Sequence, residues 1–382
     1  MDSKRDVQKF IDNMKLGRMT RRDFHKGLAS VGLATVTTPM LPQSAFAAAD
    51  DHPTVYTWAG YETPAMHTEY TAKYGESPNF SLWGDEEAAE AKVRAGFHPD
   101  VGMPCSYKVK KWTDLGFLKP IDTSRLKHWD DIIPVLKEVP DTFIGDDRMM
   151  ITTWWGLTSV TFRSDLAPEY IPEDKHSWGI LWDPKYAGRL AMIDSLIDGV
   201  MVAAIYSGAK DPFNMTDAEV EVVRNLMREQ RPLLRYYTND TSSWEQGLAS
   251  GELVAAASWN STPLNLSKQE GLEFMFMKPK EGAMTWTCGV VLFSYVKPEV
   301  EARAYEIIDA FMSPDCGQFM IEDFGYGHSN SKAFDAVSAD QLALLGLPKD
   351  DISGYISSGI FQATIQNESQ LQEMYEEVKA GL

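Results

Sequence analysis

Basic residues are scarce. The 382-residue chain carries 36 Lys and Arg against 55 Asp and Glu, a formal charge of −19. A surface of that sign excludes nucleic acid and anionic membranes as electrostatic partners. Cysteine is rarer still: Cys105, Cys288 and Cys316 are an odd number, so at least one thiol has no partner within the chain. None of their spacings is that of a zinc site, and no metal or cofactor is expected. No apolar run after residue 50 is long enough to cross a bilayer. There is no nucleophile elbow, no His pair at metal spacing and no Gly-rich phosphate loop. Six of the seven histidines are scattered singly after residue 47, and the other, His25, precedes it. No catalytic residue is therefore expected, and the enzyme alternative rests on the thiols of Cys105 and Cys288 alone.

What is present begins with a leader. Thr20-Arg21-Arg22-Asp23-Phe24-His25-Lys26 has the form of a twin-arginine export signal. A mildly apolar segment, residues 27–41, follows, and then Ser44-Ala45-Phe46-Ala47-Ala48-Ala49. The small residues fit cleavage after Ala47 or Ala49, and the alternative is a cytoplasmic basic helix. Residues 1–49 are thus expected to be a signal peptide, which places the mature protein in the periplasm. Cleavage after Ala47 leaves 28 basic and 51 acidic residues, a charge of −23. The roughly 335 residues that remain suit two domains.

The mature chain alternates strand and helix patterns. Val55-Tyr56-Thr57-Trp58 is rich in β-branched and aromatic residues and predicts a buried strand. Thr63-Pro64 then marks a helix start, and a helix is expected over 63–74. Trp58 and Tyr61 sit between the two, at the carboxyl end of a strand, where open α/β sheets bind ligands. A strand over 77–83 and a helix over 85–95 follow; the helix has an acidic first turn, including Glu86 and Glu87, which its dipole favours. A short strand over 99–104 leads to Cys105-Ser106-Tyr107 and a helix over 109–115. Residues 148–163 form two strand-like runs broken by Trp154-Trp155-Gly156. Further strands are expected at 190–193, 233–237 and 253–258, and helices at 194–207, 218–229 and 241–250. An extended run over 285–296 and a helix over 299–312 close the pattern. The fold class is α/β, with two extended runs bracketing the middle block as if the chain crosses to a second domain and returns. One large doubly wound domain is the alternative.

The ordered markers Tyr56-Thr57-Trp58, Asp100 through Tyr107, Trp154-Trp155-Gly156, Trp182-Asp183-Pro184-Lys185-Tyr186-Ala187-Gly188, Ser258-Trp259-Asn260, Phe324-Gly325-Tyr326 and Tyr375 through Gly381 resemble the periplasmic spermidine/putrescine-binding proteins of ABC importers. The resemblance runs from about residue 55 to 382. It implies the two-lobed type II periplasmic-binding fold, two mixed-sheet domains joined by a two-strand hinge. Lobe 1 would hold residues 50–155 and 289–382, and lobe 2 residues 156–288. It also implies a monomer that captures a small cationic or zwitterionic organic ligand and docks on ABC permease membrane subunits.

Carried over position by position, the resemblance makes Trp58 and Tyr61 lobe-1 walls, beside Cys105 and Tyr107. Trp259 and Trp286 would add aromatic walls, Tyr326 and Gln362 would close the site, and Asn239 would line it. Asp198 falls where the family has a pocket glutamate. Ammonium over an aromatic face gains roughly 0.5–2 kcal/mol, and a carboxylate adds a charge-assisted hydrogen bond. Ser195 and Cys288 stand where polyamine binders carry aspartates, and Ala59-Gly60 where they carry a glutamate. A smaller amine, a methylated ammonium compound or an amino acid is the alternative ligand, with Glu62 and Asp240 as compensating acids. Ferric ion is a further alternative through Tyr61, Tyr107 and Tyr326. Cys105 and Cys288 are either two small lining residues or a thiol pair that closes as a disulfide or holds a soft metal.

Overall fold

The computed structural model describes residues 52–84, 86–266 and 271–382. The expected leader, residues 1–49, lies outside them. Among the described residues no helix is long and apolar enough to cross a membrane.

The first strand, β1 (Thr54–Trp58), is buried along its centre. Val55 faces Met66 and Tyr70 in one core, while Tyr56 turns to the opposite face and meets Trp83 edge-on at 4.3 Å. β1 lies between two parallel neighbours, β2 (Asn79–Trp83) and β3 (Val101–Gly102). Helices α1 (Thr68–Tyr74), α2 (Glu86–Arg94) and α3 (Ser106–Asp114) follow the three strands in turn. This is the expected β/α alternation.

The expected helix over 63–74 is split. Pro64–His67 is a 3₁₀ turn, and His67, with φ −141°, interrupts it before α1. The expected break at Trp154-Trp155-Gly156 is absent: β4 (Met150–Arg163) is one buried 14-residue strand. Gly156 belongs inside it because a Cβ there would collide with the Trp286 ring and Asn260 Oδ1. Glycine lets the strand run on beneath that indole.

A second parallel block mirrors the first. β5 (Leu190–Ile193) pairs in parallel with β6 (Leu234–Thr238), and also with β7 (Ala255–Trp259). Between β5 and β6 the helix expected over 194–207 opens with one π turn, Leu196–Val200, before α4 (Met201–Ser207). α5 (Asp217–Gln230), with a capping box at Thr216 and Glu219, and α6 (Thr241–Ser250) complete the block. β8 (Met284–Phe293) then runs back antiparallel to β4, and α7 (Pro298–Phe311) follows it. The strand order is β2-β1-β3-β8-β4-β7-β5-β6. Two parallel half-sheets are thus joined through the antiparallel pair β4 and β8, a mixed sheet of the two-lobed type.

The hydrophobic cores follow this division. On β4, Ile151, Trp154 and Trp155 belong to one core, and Val160 and Phe162 to another. On β8 the change falls between Met284 and Trp286. The C-terminal helix α8 (Glu368–Ala380) buries Leu371, Met374, Tyr375 and Val378 in the second core. It packs beside α5 and the π turn.

Candidate binding cleft

Both parallel blocks direct their carboxyl ends to the same region. Trp58 ends β1, Glu86 and Cys105 follow β2 and β3, Asp198 follows β5 and Trp259 ends β7. Ligands bind at such ends, outside the strands and near the reversal of strand order.

Asp198 is the centre of the second-block side. It is 6% exposed. Thr158 Oγ1 donates to its Oδ1 at 2.8 Å, Gln362 Nε2 donates to the same oxygen at 3.3 Å, and Ser195 Oγ donates to Oδ2 at 3.2 Å. Ser195 also caps the π turn by accepting the Asp198 N–H. Burial lifts the Asp198 carboxyl to about 6, although the Thr158 and Ser195 hydroxyls oppose the rise. Ser195, Asp198 and Gln362 are therefore brought together. Thr158, on the crossing strand β4, belongs with them; as one threonine in a strand it gave no sequence signal.

The aromatic residues divide. Tyr61 packs with Trp154 and Phe324, each at 5.1 Å between ring centres. Tyr326 meets Trp286 edge-on at 4.8 Å and Phe324 at 6.3 Å. Trp259 lies against both cores, with Trp244 at 5.4 Å. Asn260 fixes this wall: its Oδ1 accepts from Leu157 N and its Nδ2 donates to Gly325 O. Trp58 does not join the group. Its Nε1 donates to Met103 O and its ring meets Trp83, on the face of β1 opposite Val55. Tyr61 packs with the Val55 side instead, so the two rings expected to act together take different surroundings. Asn239 is exposed and donates to the Asp194 carbonyl, which ties it to the end of β5.

Cys105 and Cys288 are joined as a disulfide, and Cys316 is the buried free thiol. The bond ties the start of α3 to the crossing strand β8. It replaces the reading of two separate small lining residues. Next to it lies Glu86, 2% exposed, whose Oε1 accepts the Cys105 N–H at 2.7 Å. Burial raises the Glu86 carboxyl to about 7, against the Tyr107 phenol, the Cys105 N–H and the Lys108 cation. Tyr107 is pushed up by burial and by Glu86, Glu87 and Asp198. The phenol thus lies within electrostatic reach of acids from both blocks. Nothing in the sequence separated Glu86 from an ordinary solvated first-turn acid.

Glu62 and Asp240 do not bring their carboxylates to this group. Glu62 Oε2 accepts the Gly60 N–H on the surface, and Asp240 caps α6 through the Ser242 N–H. Among the described residues, Glu69, His128 and Asp309 are one cluster of metal-competent donors, within 4.8 Å of one another. It lies outside the cleft, and its groups are already engaged: Lys127 and His128 bond Glu69, and Asp309 accepts the His128 N–H. An open groove of about 500 Å³ between β6 and α6, lined by Tyr236, Tyr237 and Glu252 among others, contains none of the predicted site residues.

Comparison with known proteins agrees with this architecture. The chain is 26% identical over 343 residues to the spermidine/putrescine-binding periplasmic protein of Escherichia coli, covering 87% of this chain and 93% of that one. It is 23% identical over 301 residues to the putrescine-binding periplasmic protein PotF of the same organism, covering 75% and 80%. The solved spermidine/putrescine ABC transporter substrate-binding protein PotD from Streptococcus pneumoniae superposes with a TM-score of 0.69 at 16% identity, covering 86% of this chain and 99% of that one. The family model for bacterial extracellular solute-binding proteins matches residues 35–344. That match spans most of the sequence, and the chain belongs to the bacterial extracellular solute-binding protein family.

Proposed function

We propose that the protein is the periplasmic capture component of an ABC importer for a polyamine or related small organic amine, which it delivers to the permease membrane subunits. The observation that carries this reading is Asp198: a buried carboxylate from the second block, bonded to Thr158 on β4, the strand whose Gly156 lies against the Trp286 ring of the aromatic group that includes Tyr326. An ammonium group is the ligand chemistry that both features favour, through a charge-assisted hydrogen bond and the ring faces. The relatives' names support the same ligand class.

The lobes divide near Trp155 and Gly156 on β4 and near Trp286 on β8, and α8 travels with the second lobe. Closure of the lobes around the amine, by bending at the crossing strands, would present the permease-docking surface. The protein works as a monomer, without a cofactor and without catalysis. It reaches the periplasm through the twin-arginine pathway. Ferric ion fits poorly, because burial raises the Tyr61 phenol well above its ordinary value and disfavours the phenolate that iron requires.

A thermal-shift series with putrescine, spermidine, choline and 4-aminobutyrate tests the function. A ligand at 100 times its dissociation constant stabilises by about 2.7 kcal/mol. A rise in melting temperature with a polyamine is expected. No shift with either polyamine at millimolar concentration refutes the polyamine reading, and a shift with 4-aminobutyrate alone replaces it with a zwitterion.

A further inference from the structure

Glu86 carries one buried oxygen that makes no hydrogen bond of ordinary geometry among the described residues, although the Tyr107 phenol stands beside the carboxyl. Its Oε1 is committed to the Cys105 N–H, but Oε2 is buried without a hydrogen bond among the described residues. Buried polar atoms are nearly always satisfied, so such an atom at a cleft calls for an explanation. The geometry holds it there firmly. Glu86 opens the nine-residue helix α2 directly beyond the carboxyl end of β2. The Cys105–Cys288 bond and the start of α3 fix the N–H that Oε1 accepts.

The other charged groups around it are spoken for. Lys108, on α3, pairs with Glu87 at 2.7 Å and with Glu368 at 3.6 Å, so its ammonium does not neutralise Glu86 directly. Tyr107 is a neutral side-chain donor beside the Glu86 carboxyl: its phenol interacts with Glu86 by hydrogen bonding as well as charge, and it is raised by both Glu86 and Asp198.

We propose that Glu86 is the cleft's second anionic residue, its Oε2 taking one cationic nitrogen of the bound amine while Asp198 takes another. This rests on the amine-binding reading above. It explains how the cleft serves a two-nitrogen ligand although Ser195 and Cys288 occupy positions expected to be acidic. Burying an ammonium without a counter-charge is costly, so each nitrogen requires its own acid. It also predicts coupled proton movement. Burial lifts the Glu86 carboxyl to about 7, and a cation at Oε2 would drive it to the ionised form, releasing a proton.

The test compares wild type, Glu86→Gln and Glu86→Asp by titration calorimetry with putrescine and with n-butylamine, which has the same carbon chain and one nitrogen. Gln keeps the acceptor for Cys105 N–H and removes only the charge. At least a tenfold loss of putrescine affinity is expected in Glu86→Gln, with n-butylamine changed less than threefold and an intermediate loss in Glu86→Asp. In buffers of different ionisation enthalpy at pH 7, wild type should release protons on binding putrescine, and Glu86→Gln should release fewer. Unchanged putrescine affinity in Glu86→Gln overturns the proposal. So does an equal loss for both amines with unchanged proton release. If wild type binds neither amine, the amine-binding reading itself fails. If Asp198→Asn weakens putrescine and Glu86→Gln does not, only the role of Glu86 fails.

Discussion

Replacing Asp198 by Asn should make the ligand-free protein more stable at neutral pH while weakening amine binding. The carboxyl rises from its ordinary 3.8 to about 6 because burial disfavours its charge. That difference corresponds to about 3 kcal/mol between the two protonation states. Below pH 3.8 the group is protonated both folded and unfolded, and it costs nothing. Between 3.8 and 6 the folded chain keeps a proton that the unfolded chain has lost, so stability falls as pH rises. Above 6 the full penalty is present. Asn is neutral throughout. It can still accept from Thr158 and Gln362 through Oδ1, so those two hydrogen bonds survive, while Nδ2 would have to donate to Ser195 Oγ where Oδ2 accepted from it. Urea unfolding, followed by tryptophan fluorescence on protein dialysed free of solute after refolding, measures the gap. It should be near zero at pH 4 and grow to about 3 kcal/mol by pH 7. Putrescine affinity should fall by roughly 10- to 150-fold, the equivalent of about 1.5–3 kcal/mol for a hydrogen bond to a charged group. A stability gap that is the same at pH 4.5 and pH 7.5, or a less stable Asn variant at pH 7.5, refutes the reasoning.

Three other outcomes are expected. The Cys105–Cys288 bond closes a sequence separation of 183 residues, so its reduction should lower stability by about 2–5 kcal/mol; a denatured, unreduced sample should titrate one thiol, from Cys316, and three would exclude the bond. Gly156→Ala should lose about 1–3 kcal/mol of stability, as overpacked cores do, because the new Cβ displaces the Trp286 ring; putrescine affinity should fall at least tenfold by calorimetry, and an unchanged affinity would remove Trp286 from the site. Arg21→Lys with Arg22→Lys should leave the precursor in the cytoplasm, read by fractionation of the producing cells, and normal periplasmic export would reject the twin-arginine route.

The fold was legible because period and punctuation agree with it. Thr241–Ser250 emerges with the expected bounds, and the β-branched and aromatic run Val55 to Trp58 is a strand. The failures have local causes. Trp154-Trp155-Gly156 read as a break because glycine ordinarily ends strands; here it leaves room for an indole from a strand 130 residues downstream in sequence. Trp58 and Tyr61 are close in sequence, but the pleat sends Tyr56 and Trp58 to the Trp83 side of the sheet. The turn after Trp58 returns Tyr61 to the other side. Sequence spacing predicted a shared location, not a shared face. Cys105 and Cys288 pair across the antiparallel junction, a contact no local pattern encodes. Glu86 was visible only as a helix-favouring acid, since its engagement depends on the residue before α3, distant in sequence, meeting it.

The cleft concentrates costs that a cationic ligand would relieve. Asp198 and Glu86 are each raised above ordinary carboxyls by burial, and Glu86 Oε2 and Trp286 Nε1 are buried without a hydrogen bond of ordinary geometry among the described residues. None of these features helps the protein fold; each subtracts from its stability at neutral pH. An amine that supplies charge to both acids returns part of that loss, and it can do so only where elements from both halves meet. Binding energy would therefore be available to the arrangement that brings α2, α3 and the π turn together, and not to one that separates them. A site stabilised by well-satisfied neutral residues would hold its shape as firmly, but it would give the ligand little differential affinity for the closed form. The buried acids thus link recognition of charge to closure, and replacing both by their amides should produce a protein that is more stable and no longer responds to amines.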